Sequence, residues 1–338
     1  MKNKKLIWQL PFLTLLIVGT VLIIRQNQTA RFQHHADLIF GTSYHITYQC
    51  DSDLSKGIKA ELQKVDQSLS PFNEQSIITA INQNSQVKPD SMFLDVWQLA
   101  MQISEETEGA FDITVAPLVN AWGFGFKNGS QPSSEQVDSL MQIVGYQKVS
   151  LVDGYVQKED PRIMLDCSAI AKGYGTDVVA RFLRRHGIEN FMVEIGGEVV
   201  TSGQNPDGKP WRVGVTKPAD DPLNTNHELQ TILNVKDQAL ATSGNYRNFY
   251  YKDGQKYAHT IDPKTGYPVQ HSILSATVLA STCAMADAYA TAFMVMGLEK
   301  AQQLLERHPE LMAYLIYSDK DGETAVWYSP RFHDIIVE

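Results

Sequence analysis

Asp287 and Thr291 stand four residues apart in the run Ala286-Asp287-Ala288-Tyr289-Ala290-Thr291. On a helix, that spacing places a carboxylate and a hydroxyl on one face. Small neighbours let another element come close. Two oxygen donors suit Mg²⁺, which takes few protein ligands and completes its octahedron with water and phosphate. The same spacing is common on ordinary helices, so by itself it marks only a candidate.

A second run, Leu165-Asp166-Cys167-Ser168-Ala169-Ile170-Ala171-Lys172-Gly173-Tyr174-Gly175-Thr176-Asp177, has the parts of an anion site. An apolar segment, Ile163-Met164-Leu165, reads as a strand ending at the Asp166 carboxylate. Small residues, a lysine and two glycines follow where a helix begins. Small residues admit a ligand to the backbone, and a first helical turn offers unpaired N–H groups to an anion. A carboxylate beside such a site implies a cation between them. The G-x-x-x-x-G-K-[ST] spacing is absent, which excludes a P-loop.

Four further segments could line a ligand. Gly109-Ala110-Phe111-Asp112-Ile113-Thr114, with Trp122-Gly123-Phe124-Gly125-Phe126 after it, could form an aromatic slot for a planar ring, or a helix cap leading into an aromatic core. Glu194-Ile195-Gly196-Gly197-Glu198 reads as a close backbone approach or a plain turn. Ala241-Thr242-Ser243-Gly244-Asn245-Tyr246-Arg247 reads as a ligand-lining loop or a turn. In His259-Thr260-Ile261-Asp262-Pro263-Lys264-Thr265-Gly266, a Pro-x-x-Gly turn accounts for Pro263 and Gly266 but not for His259.

The elements that must position these groups follow from periodicity. Ile58, Leu62, Val65 and Leu69 recur at helical spacing, predicting a helix over 55–69 that Ser70-Pro71 ends. Helices are expected over 91–107, from Ser133-Ser134 with a Ser133/Gln136 capping box, from the Lys172 motif to about Arg185, and over 283–296 and 298–307. Strands are expected over 38–48, 148–151, 154–157, 162–165, 190–195, 198–202, 211–216, 229–235, 247–251, 256–261, 273–280, 311–317 and 323–328. Residues 217–227 read as a loop. Blocks of strands with interspersed helices describe an α+β domain rich in antiparallel sheet, without internal repeats.

The chain of 338 residues carries a net charge of −9, which argues against a nucleic-acid partner. Cys50, Cys167 and Cys283 are widely spaced and lack a C-x-x-C pair, so neither a zinc site nor a disulfide framework is expected. Lys2, Lys4 and Lys5 precede an apolar run from Ile7 to Ile24. As a helix, its roughly 18 residues span about 27 Å, close to a ~30 Å hydrocarbon core. Residues 1–24 are read as a membrane anchor with its N-terminus in the cytoplasm, a cleaved signal peptide and a buried core helix being the alternatives. Residues 25–37 would be a polar tether, and 38–338 the working domain, held at the outer face of the cytoplasmic membrane.

Taken in order, the segments resemble the FAD:protein FMN transferase family, the ApbE-like flavin transferases. The resemblance runs through Gly41-Thr42, Leu69-Ser70 with Ser76 and Asn82, Gly109–Asp112, Asp166–Asp177, Ile195-Gly196-Gly197, Ala241–Arg247, His259–Gly266 and Asp287–Thr291. It implies a single T-fold-like catalytic domain that passes FMN from FAD to a Thr or Ser hydroxyl of a partner protein and releases AMP. It further implies Mg²⁺ held by Asp287, Thr291 and the backbone carbonyl of Ala169. FAD contacts would come from Ala110, Phe111, Asp112, Asp166, Lys172, His259 and Ile261. His259 is the leading candidate for the base or proton relay. Phe40 stands where the family often has Met beside the flavin, Phe72 replaces a frequent Tyr, and Cys167 takes a usually small or aliphatic position. The implied partners are exported FMN-attachment segments of membrane redox proteins, such as subunits of ion-translocating NADH:quinone or ferredoxin-linked reductases. A FAD pyrophosphatase and an anchored flavin-binding protein without turnover are the alternatives.

Overall fold

The computed structural model describes residues 11, 14–20, 31–125, 131–218, 228–245, 249–252, 255–270 and 272–337. The lysines of the expected anchor, most of its apolar run, residues 25–30, Phe126, the 219–227 part of the expected loop, and Tyr246 and Arg247 lie outside the described residues. Among the described residues, no helix is long and apolar enough to cross a membrane.

An eight-stranded sheet forms the frame, in the order β1 (Phe32–Ile39), β2 (Thr42–Gln49), β5 (Phe191–Ile195), β6 (Glu198–Ser202), β9 (Ala239–Gly244), β12 (Ile273–Ala280), β13 (Met312–Ser318) and β14 (Thr324–Tyr328). Each neighbouring pair in it is antiparallel. A three-stranded sheet of β7 (Trp211–Thr216), β8 (Leu229–Val235) and β15 (Ile336–Val337) covers one face, and two hairpins, β3 (Val149–Val152) with β4 (Tyr155–Lys158) and β10 (Phe249–Lys252) with β11 (Gln255–Ala258), stand apart.

The helices are α1 (Ser55–Leu69), α2 (Ile77–Asn82), α3 (Ser91–Glu106), α4 (Ala116–Ala121), α5 (Ser134–Met141), α6 (Ser168–Arg185), α7 (Cys283–Met296) and α8 (Leu298–Arg307). Alternation along β12 and β13 shows how the layers stack. Val278, Ala313 and Leu315 join the helix-side core, whereas Leu279, Met312, Tyr314 and Ile316 face the small sheet. Strands buried on both faces read as apolar runs, as these do. Helix α7 is buried nearly all round, and its alanines let it press onto β9 and β12. The capping box at Ser133 and Gln136 forms as the spacing predicts.

Four expectations change. β1 begins at Phe32, inside the expected tether, because 32–39 pairs along its whole length with β2; the expected 38–48 strand is thus the turn and second arm of a hairpin. Residues 239–244 form a central strand, not a loop: their small side chains are what the close packing of α7 requires. Of residues 162–165, Arg162 belongs to a turn and 163–165 join no ladder. The Asn82 side chain takes the place of a neighbouring strand, accepting from Leu165 N at 2.7 Å and donating to Leu165 O at 2.9 Å. Finally, His259–Ile261 lies beyond β11, in a turn closed by an isolated bridge between Ile261 and Pro268.

Candidate active site

Two glycines at the start of α6 set the geometry of the site. A Cβ on Gly173 would lie 2.4 Å from the Cys283 carbonyl oxygen, so only glycine lets α7 approach this closely. A Cβ on Gly175 would lie 2.8 Å from the ring of Phe40. That ring is delivered by the two-residue β1–β2 turn, where Phe40 and Gly41 have φ of 52° and 73°. Both glycines therefore make room for a neighbour and do not break the helix.

The two helices grip each other through exchanged backbone bonds. Gly173 N, which a regular helix would aim at the Ala169 carbonyl, donates to Asp287 Oδ2 of α7 at 3.0 Å. In return, Asp177 of α6 accepts from Cys283 N and Ala284 N at 2.9 Å each. Thr282 takes the next orphan donor, Met285 N, at 3.3 Å. The first turn of α7 is thus satisfied by one carboxylate from outside the helix and one hydroxyl from its own N-cap. Burial pushes Asp177 up to about 6, although the Cys283 and Ala284 N–H groups oppose the rise.

Asp287 is 3% exposed, and burial raises its carboxyl above the ordinary range while Lys172 and the Gly173 N–H pull it down. Lys172 Nζ donates to Glu198 Oε1 at 2.6 Å and lies 3.9 Å from Asp287 Oδ1. Burial disfavours its charged form, but Asp287 and Glu198 outweigh that and hold the ammonium above its usual range. One turn beyond Asp287, Thr291 Oγ1 lies 3.1 Å from Ser243 Oγ on β9. Glu198 begins β6 just after the Gly196-Gly197 hairpin turn, whose φ values of 64° and 105° favour glycine at both positions.

These groups share one cleft of about 870 Å³. Its wall includes Phe40, Phe72, Ala110, Phe111, Asp112, Asp166, Ala169, Lys172, His259, Ile261, Asp287 and Thr291, which the sequence picked out, together with Glu194, Glu198 and Ser243, which it left without a role. The signal for Glu198 was present: a carboxylate follows a two-glycine turn directly. Ser243 was hidden in a segment read as loop or turn.

Several lining residues have structural duties as well. Asp112 accepts from Thr114 N, Thr114 Oγ1 and Tyr146 N, each at 2.7 Å, and so clamps its own loop. Asp166 Oδ1 accepts from Ser168 N at 2.8 Å and opens α6. The aromatic segment divides between its two readings: Phe111 and Trp122 are buried in two separate cores, while Phe111 and Phe124 both also line the cleft. The Phe124 ring meets His259 edge-on, with centroids 6.4 Å apart. Ile261 packs with Trp122 and Leu118, and Trp122 Nε1 donates to Gly266 O at 2.8 Å, tying the His259 turn to α4. Phe72 is 70% exposed at the rim.

Among the described residues, no group of three or more His, Cys, Asp or Glu side chains forms a metal cage. A site of one carboxylate, one hydroxyl and one backbone carbonyl is a different kind: an all-oxygen set that leaves positions for water and phosphate, which fits Mg²⁺ and does not fit a thiolate- or imidazole-loving metal.

An antiparallel α+β domain with a cleft between Lys172 of α6 and Asp287 of α7 matches a class of transferases in the comparisons. Residues 40–316 match the model of the ApbE family, and the chain belongs to that family. An FAD:protein FMN transferase of Vibrio cholerae serotype O1 is 36% identical over 317 residues, covering 90% of this chain and 93% of the relative. That of Escherichia coli K12 is 35% identical over 296 residues, 85% of this chain and 82% of the relative. Among solved structures, the flavin transferase ApbE from Vibrio cholerae superposes with a TM-score of 0.82 at 36% identity, covering 90% of this chain and 99% of the other. The ApbE protein from Thermotoga maritima gives 0.80 at 28% identity, covering 91% and 100%.

Proposed function

We propose that this chain transfers the FMN half of FAD to a Thr or Ser hydroxyl of a partner protein, releases AMP, and depends on Mg²⁺. The observation that carries the reading is the Gly173 N–Asp287 Oδ2 bond, which sets the Asp287 carboxylate against the start of α6 beside Lys172. Asp287, Thr291 and the Ala169 carbonyl would hold the cation. When bound, it would neutralise pyrophosphate charge and ease the departure of AMP. Lys172 would hold the phosphates, and Phe40 and Phe124 would face the ring system. His259 would accept the acceptor hydroxyl's proton at a ring nitrogen, while positioning and electrostatic stabilisation supply most of phosphoryl-transfer catalysis. The acceptors would be exported FMN-attachment segments of membrane redox proteins, met at the outer face of the cytoplasmic membrane, where residues 1–24 would anchor the enzyme.

The test is incubation with FAD, Mg²⁺ and a recombinant acceptor domain. A fluorescent acceptor band on a denaturing gel and stoichiometric AMP are expected, and both should vanish in Asp287→Ala. Absence of both in the parent chain would overturn the proposal. AMP release without acceptor labelling would make water the acceptor.

A further inference from the structure

We infer that Glu198 is a built-in counter-charge that keeps Lys172 from capturing a pyrophosphate on its own, so that the cleft admits an anionic dinucleotide only after a divalent cation has been taken up. The inference rests on the function proposed above.

Lys172 sits between two buried carboxylates, 2.6 Å from Glu198 Oε1 and 3.9 Å from Asp287 Oδ1. Glu198 is 2% exposed while the Lys172 side chain keeps 32% of its surface open, so the carboxylate end of the pair is poorly screened and the ammonium faces the cleft. The three groups sum to one negative charge. The rest of the described wall does not reverse this, for Asp112, Asp166 and Glu194 add three carboxylates and no other lysine or arginine joins them. Asp112 and Asp166 are answered by N–H and hydroxyl donors, and Glu194 by His45 Nδ1 at 2.8 Å and Gly197 N at 2.6 Å. A lysine placed only to bind phosphate would gain nothing from a buried carboxylate on its ammonium, because that pairing cancels the charge it offers. Burying an ion pair is itself costly. The arrangement makes sense if the metal-free cleft is to be unattractive to anions. A divalent ion at Asp287 turns the single negative charge of these three groups into a single positive one, and the dinucleotide follows.

The sign of this prediction separates it from a merely structural role. Binding of ADP, an unreactive pyrophosphate probe, is measured by titration calorimetry on the full chain, in EDTA and in Mg²⁺. The parent chain is expected to bind at least about tenfold more tightly with Mg²⁺. Glu198→Gln keeps the shape and removes the charge. In EDTA it should bind ADP roughly tenfold more tightly than the parent, the factor set by ~1.4 kcal/mol. Lys172→Gln should move binding the other way, and the double variant should return near the parent value. If Glu198→Gln does not fold, Lys172→Gln and the double variant carry the same comparison. The inference is overturned if the parent binds ADP equally in EDTA and Mg²⁺, or if loss of the Glu198 charge leaves metal-free binding unchanged or weaker. Acceptor labelling is scored in parallel. Labelling without the charge pattern defeats this inference alone, and the charge pattern without labelling or AMP release defeats the proposed function alone.

Discussion

Asp177 and Asp287 are two buried aspartates on facing helices, each reached by backbone N–H groups of the other helix. They differ in what is left over. Asp177 gives one oxygen to Cys283 N and the other to Ala284 N, so its acceptors are directed at the fold. Asp287 gives Oδ2 to Gly173 N, while Oδ1 lies at the longer distance of 3.9 Å from Lys172. One carboxylate locks the helix pair, and the other is held by the lock with acceptor capacity still turned to the cleft. Burial alone does not tell a structural acid from a functional one; the tally of donors around each oxygen does.

This contrast can be broken or sharpened by experiment. Asp287→Ala should lower FMN transfer by about 1,000-fold or more, the scale of losing a cation's several kcal/mol, with a smaller loss of stability than Asp177→Ala because it orphans one buried N–H, that of Gly173, and not two. A loss of stability as large as that of Asp177→Ala would dissolve the distinction. Asp177→Ala should do the reverse in kind. It orphans two buried N–H groups and should lower stability by about 2–4 kcal/mol in denaturant unfolding, while folded protein keeps much of its turnover. Gly173→Ala touches both roles, because its Cβ would meet the Cys283 carbonyl at 2.4 Å. It should cost about 1–3 kcal/mol and weaken Mg²⁺-dependent ADP binding together.

The pH response of Asp177 is a smaller effect with a definite sign. Burial raises its folded carboxyl to about 6, above the ordinary 3.8, so the folded state binds the proton more tightly. This group's contribution is therefore present below about pH 4 and is lost as pH rises through about 6. The stability difference between the parent and Asp177→Asn should fall over that window and stay flat above it, as read by melts in matched buffers. A difference that rises with pH would refute the assignment. Smallest is Ser243→Ala, which removes the 3.1 Å contact to Thr291. A few-fold loss in kcat/KM, or about 1 kcal/mol, is expected, with an unchanged fold.

Sequence patterns read some of these features well and others poorly, for identifiable reasons. Helix 55–69, the Ser133 capping box and the buried α7 follow from periodicity and capping, which are local. The strand at 239–244 was misread because Ala-Leu-Ala-Thr-Ser-Gly has loop-like composition; its small residues answer to α7, which lies far along the chain. The 162–165 segment looked like a strand, and its burial does alternate, but its partner is one asparagine side chain. Glu198 went without a role because its meaning lies in Lys172, 26 residues away, and in a turn that brings the two together. The family resemblance carried the site residues that spacing could not.

The bonds that join α6 to α7 span 106, 107 and 114 residues of chain. The corner where Lys172 meets Asp287 therefore has no local precursor. During synthesis it cannot exist until residue 287 has been made, long after Lys172 and the first turn of α6 are complete. Contacts so distant in sequence form late and slowly. A chain halted before residue 287 would carry the lysine and the helix start without the carboxylate that faces them. The maturation of this enzyme is thus tied to the making of α7.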